Sequence, residues 1–246
     1  MTKRAEAGDE FPWLGEHDRF SFPDPRRAEC DGIVGVGGNL SPGMLISAYR
    51  QGIFPWFSDG EPILWWSPDP RFVVFPDSLH VSKSMRKVLR QEQFSYSLDR
   101  AFNDVVQACA SVDRTHEDGT WITEEMQDAY RRMHEIGYAH SLEAWREGEL
   151  VGGLYGISFG RAFFGESMFA HVSDASKGAF ILLCRLLFSR GFTFIDAQIY
   201  SSHLERLGGV HVARSEFLEL LSDALTVPDA RGPWTSWEPE LTSCIP

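Results

Sequence analysis

A chain of 246 residues with 43% hydrophobic side chains can bury a substantial core, either as one large domain or as a small domain joined to a larger one. Its formal net charge of -12 excludes indiscriminate binding to nucleic acid, because closely spaced phosphates repel the protein as a whole; only a local basic face is compatible with such a partner. No stretch has the length and apolarity of a membrane span, since the longest apolar run, Ala179 to Phe188, is short and contains Arg185.

Met1 to Glu10 is polar, with no apolar core of a signal peptide, and is expected to fray. The following F-P-W-L-G-E-H-D-R-F-S-F-P-D-P mixes aromatics with prolines and predicts an extended arm laid against the body. In G-I-V-G-V-G-G-N-L-S-P-G-M-L-I-S-A-Y-R-Q-G, Ser41 and Pro42 predict an N-cap and first helical residue, Leu45, Ala48 and Tyr49 share a face, and Gly52 ends the helix. The glycines are turn formers here. After Gly35 and Gly37 the third dinucleotide-fingerprint position is Leu40, and the phosphate-loop pattern fails as well. Trp56, Trp65 and Trp66 then cluster among prolines, either as a small aromatic core or as a stacking surface for an unpaired base. This proline-rich stretch predicts a junction between a small domain at 1–70 and a larger one at 71–246.

Ser82 caps a predicted helix whose inner side is Met85, Val88 and Leu89. Lys83, Lys87 and Arg90 recur at i, i+4 and i+7 with Arg86 beside them, a cationic stripe that in an acidic chain points to phosphate contacts as readily as to a solvated face. A further helix from about Thr123 to Ile136 stacks Met126, Ala129, Tyr130 and Met133, and Trp121 stands at its entry, as a lid on the core or a stacking platform. From Trp145 to Gly209, turn signals at Glu147-Gly148 and Gly160-Arg161 separate apolar runs, which predicts hairpins, followed by a helix from about Ser176 to Arg190. Three polar residues stand out in these runs: Glu166 between Phe163-Phe164 and Met168-Phe169, and Asp196 and Gln198 beside Ile195 and Ile199. Acidic side chains rarely occupy apolar strands without partners, so the chemistry is expected here.

Other chemistries lack their residues. Cys30, Cys109, Cys184 and Cys244 form no C-x-x-C pair or zinc spacing, and free thiols in a reducing cytoplasm are expected. His134-Glu135 does not open an H-E-x-x-H, and no G-x-S-x-G elbow occurs, so neither a metal nor a serine nucleophile is expected. The order of hairpins, helix and strand is similar to a GNAT-type acyltransferase core. The acetyl-CoA signature is missing, however: the relevant helix opens S-D-A-S-K-G-A, and R-L-G-G-V-H from Arg206 ends in His211. No cofactor is expected, and the acyl donor should be something other than acyl-CoA.

The segments G-I-F-P-W-F, I-L-W-W-S-P-D-P-R, G-T-W-I-T, A-H-S-L-E-A-W, E-L-V-G-G-L-Y-G, F-G-E-S-M-F and I-D-A-Q, in that order between Asp31 and Leu221, resemble the leucyl/phenylalanyl-tRNA-protein transferase family. The resemblance implies an α/β (α+β) fold, with a small N-terminal domain and a GNAT-like catalytic domain built on a mostly antiparallel mixed sheet. It implies transfer of Leu or Phe, with leakage to Met, from aminoacyl-tRNA to proteins beginning with Arg or Lys, marking them for N-end rule degradation. Lys83, Arg86, Lys87 and Arg90 would hold tRNA phosphates, and Trp56 and Trp121 would stack on its terminal nucleotides. Tyr130, Leu154, Phe163, Met168, Phe180, Leu183 and Ile195 would line the aminoacyl pocket. Asp196 would accept a hydrogen bond or proton from the attacking amine, Gln198 would orient it, and Glu166 would read the cationic acceptor side chain. An acyl-CoA-dependent N-acyltransferase and a non-catalytic RNA-binding module are the rival readings.

Overall fold

The computed structural model describes residues 11–29, 31–112 and 122–245. The arm that precedes the first strand runs along the first helix, α1 (Pro42–Arg50), and is tied to it by polar side chains of that helix. Leu14 N donates to Ser41 Oγ at 3.1 Å, Phe20 N to Ser47 Oγ at 2.8 Å and Phe22 N to Gln51 Oε1 at 3.1 Å. Ser41 therefore stands at the N-cap position, as its sequence predicts, but its hydroxyl satisfies the arm rather than its own helix. Three short strands, β1 (Ile33–Val36), β2 (Phe54–Pro55) and β3 (Leu64–Trp66), form an antiparallel sheet in the order β1-β3-β2.

The larger sheet has seven strands, β4 (Arg71–Val74), β5 (Ser95–Leu98), β6 (Ala139–Arg146), β7 (Glu149–Phe159), β8 (Ala162–Ala170), β9 (Phe194–Gln198) and β10 (Gly209–Val212), in the order β10-β4-β9-β8-β7-β6-β5. Neighbours are antiparallel except β8 and β9, so the sheet is mixed and mostly antiparallel, as the hairpin signals predict. The β6–β7 turn falls at Glu147 and Gly148, both with positive φ (54° and 85°), the geometry that a two-residue hairpin of right-handed twist needs.

Helices cover both faces of this sheet. On one side α1, α3 (Phe102–Ser111), α4 (Glu124–Glu135) and α7 (Arg214–Ala224) pack Tyr49, Val105, Met126, Tyr130 and Phe217 against Tyr155, Ile157, Phe159 and Phe164. On the other, α2 (Lys83–Arg90) and α5 (Ala175–Ser189) pack Met85, Leu89, Phe180, Leu183 and Leu187 against Leu142, Leu154, Phe163 and Ile195. Each such Leu or Phe stabilises the fold by about 1.5–3 kcal/mol when fully buried. Ser82 and Thr123 cap α2 and α4 by accepting from Met85 N and Met126 N, both at 3.2 Å. A single turn, α6 (Ser202–Glu205), leads from β9 toward β10, and α8 (Glu238–Ser243) closes the chain.

Trp234, just before α8, is 1% exposed. Its ring stacks on His140 with centroids 3.7 Å apart, and its backbone N–H donates to Asp99 Oδ2 at 2.7 Å. The tail is thus a packed part of the second core. Cys109 and Cys184 are buried on α3 and α5, and Cys184 is a free thiol; Cys30 lies outside the described residues. Among the described residues no helix is long and apolar enough to cross a membrane.

Candidate functional site

The parallel ladder between β8 and β9 pairs Ala162 with Phe194, Phe163 with Ile195 and Phe164 with Asp196. Beyond these pairs the strands part, and a cavity of about 470 Å³ occupies the opening. That is a common size for a small-ligand site. Its apolar wall is Leu154, Phe163, Met168, Phe180 and Ile195, with Phe54, Pro55 and Trp56 contributed by the small sheet and the residue that follows it.

Two backbone irregularities shape the wall. Phe163 and Met168 are five residues apart, an odd spacing that in a regular strand would send them to opposite faces. Opposite β7, however, Tyr155 pairs with Ser167 and Gly156 with Gly165, so Glu166 is an extra residue. This bulge shifts the alternation, puts Met168 on the face of Phe163, and re-aims the Glu166 side chain. On β9 the pairing with β4 passes from Asp196–Val73 to Gln198–Phe72, skipping Ala197. Gln198 then has a φ of 65°, a left-handed conformation that costs a non-glycine residue about a kilocalorie or more unless its surroundings enforce it.

Asp196 enforces it. Its Oδ1 accepts from Gln198 N at 2.9 Å, while Arg71 Nε donates to the same oxygen at 2.9 Å and Arg71 Nη2 to Oδ2 at 2.6 Å. Both members of this ion pair have fully buried side chains. The guanidinium also donates to Gly52 O at 3.2 Å and lies over the rings of Phe54 and Phe217 at 4.8 and 4.4 Å. A carboxylate clasped on both oxygens by a buried guanidinium is suited to holding backbone.

The Gln198 side chain turns toward Glu166, its Nε2 donating to Glu166 Oε1 at 2.9 Å. Tyr49 OH donates to the same oxygen at 2.8 Å, and Tyr130 OH donates to Oε2 at 2.6 Å. The two hydroxyls are 2.7 Å apart. Burial pushes the Glu166 carboxyl up to about 7 against the lowering effect of these three donors. The Tyr49 and Tyr130 hydroxyls are raised well above their ordinary range, first by burial and then by the Glu166 charge, so both remain donors. With about four lone-pair positions on a carboxylate and three taken, one is left, on Oε2. Gln198 Oε1 has no partner among the described residues. The cavity is therefore lined by a carboxyl and an amide beside an apolar end.

Of the residues singled out by sequence, the cavity brings together Glu166, Asp196, Gln198, Trp56, Leu154, Phe163, Met168, Phe180 and Ile195. Tyr130 stands behind this wall as a hydrogen-bond donor to Glu166, and Leu183 lies one turn deeper on α5, in the core. Trp121 lies outside the described residues. Trp56 is half-buried at the edge, with its ring 5.7 Å from Trp66, whereas Trp65 is buried, so the tryptophan cluster is part core and part cavity wall. Lys83, Arg86, Lys87 and Arg90 are exposed on α2, and none forms an ion pair among the described residues. Met85 and Leu89 seat that helix in the same core as Phe180 of α5, which brings the stripe to the side of the molecule where α5 meets the cavity. Arg71 and Tyr49 were not legible as site residues.

The sequence profile of the leucyl/phenylalanyl-tRNA protein transferases matches residues 73–222, and the profile of that family's N-terminal domain matches residues 38–69. A leucyl/phenylalanyl-tRNA–protein transferase of Desulfatibacillum aliphaticivorans is 54% identical over 225 residues, covering 92% of this chain and 97% of the relative. The proteins of the same description from Syntrophus aciditrophicus and Pseudomonas fluorescens are 53% and 51% identical, covering 92% and 91% of this chain and 94% and 99% of those relatives.

Proposed function

The chain belongs to the leucyl/phenylalanyl-tRNA protein transferase family, and from that premise we propose that it moves Leu or Phe, and less readily Met, from aminoacyl-tRNA to the N-terminal α-amine of proteins beginning with Arg or Lys, in the cytoplasm, marking them for N-end rule degradation. The observation that carries the reading is one cavity with an apolar end walled by Leu154, Phe163, Met168, Phe180 and Ile195 and a polar end made by Glu166 and Gln198. The aminoacyl side chain occupies the apolar end. A methyl-sized misfit there discriminates by only about 1–3 kcal/mol, which excludes branched Ile and Val better than it excludes flexible Met.

The ester is already activated, so alignment supplies most of the catalysis. A neutral α-amine, available near pH 7 because its ordinary pKa is about 8, donates an N–H to Gln198 Oε1 and attacks the ester carbonyl carbon. The C–N bond forms, the bond to the ribose oxygen breaks, and the proton lost by the nitrogen ends on that departing oxygen. Asp196 acts through Gln198 as a positioning residue, held by Arg71. Glu166 reads the acceptor through its single remaining lone pair. One N–H from either an ammonium or a guanidinium fills it, which suits Lys and Arg alike.

The four exposed cations of α2, together with Trp56 and Trp121, take the acceptor stem and its terminal nucleotides. Incubation with radiolabelled Leu-tRNA and an Arg-initiated peptide tests the reading, with label expected in the peptide. Turnover of acyl-CoA without RNA, or binding of uncharged tRNA with no labelled peptide, would replace it with an N-acyltransferase or an RNA-binding module.

A further inference from the structure

The rim of the cavity beyond β9 carries a group that the transfer chemistry leaves unused. His203, on α6, lines the cavity. Its Nε2 is buried with no hydrogen-bond partner among the described residues. A buried imidazole nitrogen without a partner calls for one, and a ligand in the cavity can supply it. Arg206 follows at i+3, and Lys177, on the first turn of α5, is near enough to act on the ring. Burial and then these two cations depress the pKa of His203. Glu205 accepts from Tyr200 OH at 3.0 Å, and Asp174 pairs with Lys177 Nζ at 2.7 Å, so a phosphate would share Lys177 with that carboxylate and meet Arg206 directly. Arg206 is exposed and makes no ion pair among the described residues.

We infer that His203, Lys177 and Arg206 form a phosphodiester subsite, taking the backbone phosphate that joins the aminoacylated terminal nucleotide to its neighbour. This rests on the aminoacyl-tRNA reading. With the aminoacyl group in the apolar end, the carrier nucleotide must leave past the rim, and RNA is the one substrate obliged to bring an anion there. A phosphodiester supplies the acceptor that the imidazole lacks and the negative charge that faces the two cations. The subsite differs from the α2 stripe in lying on the cavity rim, so it fixes the register of the last nucleotide rather than general affinity.

The test uses the leucyl amide of 3'-amino-3'-deoxyadenosine in two forms, with a 5'-hydroxyl and with a 5'-methylphosphate, titrated calorimetrically into the full chain at low salt. The methylphosphate form is expected to bind roughly tenfold more tightly, and this ratio should fall below about twofold in Lys177→Gln/Arg206→Gln. Neither side chain is buried, so the double variant is expected to fold. A second readout is independent of the variants: proton NMR of the wild-type chain should show the His203 pKa rising with the methylphosphate form only. Equal affinity for the two forms, or a ratio unchanged in the double variant, would overturn the inference while leaving the aminoacyl reading intact. Failure of both forms to bind would overturn that reading and the subsite with it.

Discussion

Asp196→Asn tests most sharply whether this side chain is a base or a clasp. The substitution removes the charge that opposes a fully buried Arg71 and turns an N–H2 toward Arg71 Nη2, which now donates at 2.6 Å. Breaking a buried pair from one side costs about 3–5 kcal/mol, a large part of the roughly 5–15 kcal/mol that stabilises a domain. Arg71→Met on the same background removes the stranded cation. The amide oxygen introduced by Asp196→Asn can still accept from Gln198 N, so Gln198 keeps its left-handed backbone. Urea unfolding should therefore give a double variant that recovers at least half of the stability lost by Asp196→Asn, a coupling of about 2 kcal/mol or more. The recovery is limited because Arg71→Met also removes the Gly52 hydrogen bond and the stacking on Phe54 and Phe217. Single-turnover transfer from Leu-tRNA should recover with stability. A double variant that is folded yet still inactive would make Asp196 the proton acceptor and refute the clasp, and strictly additive stability losses would refute the coupling.

Glu166 gives a prediction in pH. Its folded pKa of about 7 lies above the ordinary 4.5, so between those values the folded state holds a proton that the unfolded state has released, and stability falls as pH rises through the window, by on the order of 3 kcal/mol in full. Urea midpoints of Glu166→Gln should be flatter across that range, while KM for an Arg-initiated peptide, which needs the ionised carboxylate, should fall as pH rises through about 7 in the wild type and not in the variant. A pH-independent KM in the wild type would contradict the acceptor role. Met168→Ala enlarges the apolar end, and the preference for Leu-tRNA over Ile-tRNA should weaken by about 1–3 kcal/mol in kcat/KM; an unchanged ratio would move the selectivity elsewhere. Replacing Lys83 and Lys87 by Gln should weaken tRNA binding and reduce the slope of log K against log salt by about 1 for each phosphate no longer neutralised. An unaltered slope would make α2 an ordinary solvated face.

What sequence could reveal follows from locality. Glu166, Asp196 and Gln198 are conspicuous because a carboxyl or amide inside an apolar run must have a partner, and the α2 stripe is conspicuous because helical spacing is read directly from i, i+4 and i+7. The hairpins are legible from Glu147-Gly148 and Gly160-Arg161. Arg71 is hidden: in S-P-D-P-R-F it follows a proline and looks like loop, while its partner Asp196 is 125 residues away and meets it only because β4 and β9 are neighbours. Tyr49 reads as part of the buried face of α1, which it is, but the destination of its hydroxyl depends on a bulge at Glu166 that no local pattern announces. The same bulge brings Phe163 and Met168 together at a spacing that strand periodicity forbids. Trp234 and Trp237 offer no signal beyond hydrophobicity, because their partners, His140 and Arg190, lie on β6 and just after α5.

Whether the cavity between β8 and β9 seats the aminoacyl group is decided by a crystal structure with the leucyl amide of 3'-amino-3'-deoxyadenosine bound. The leucyl side chain is expected between Met168, Phe163 and Phe180, with its α-carbonyl turned toward Gln198 and the nucleoside leaving past the β9 edge. A leucyl group bound outside the cavity, or one whose carbonyl points away from both Gln198 and Glu166, would contradict the assignment.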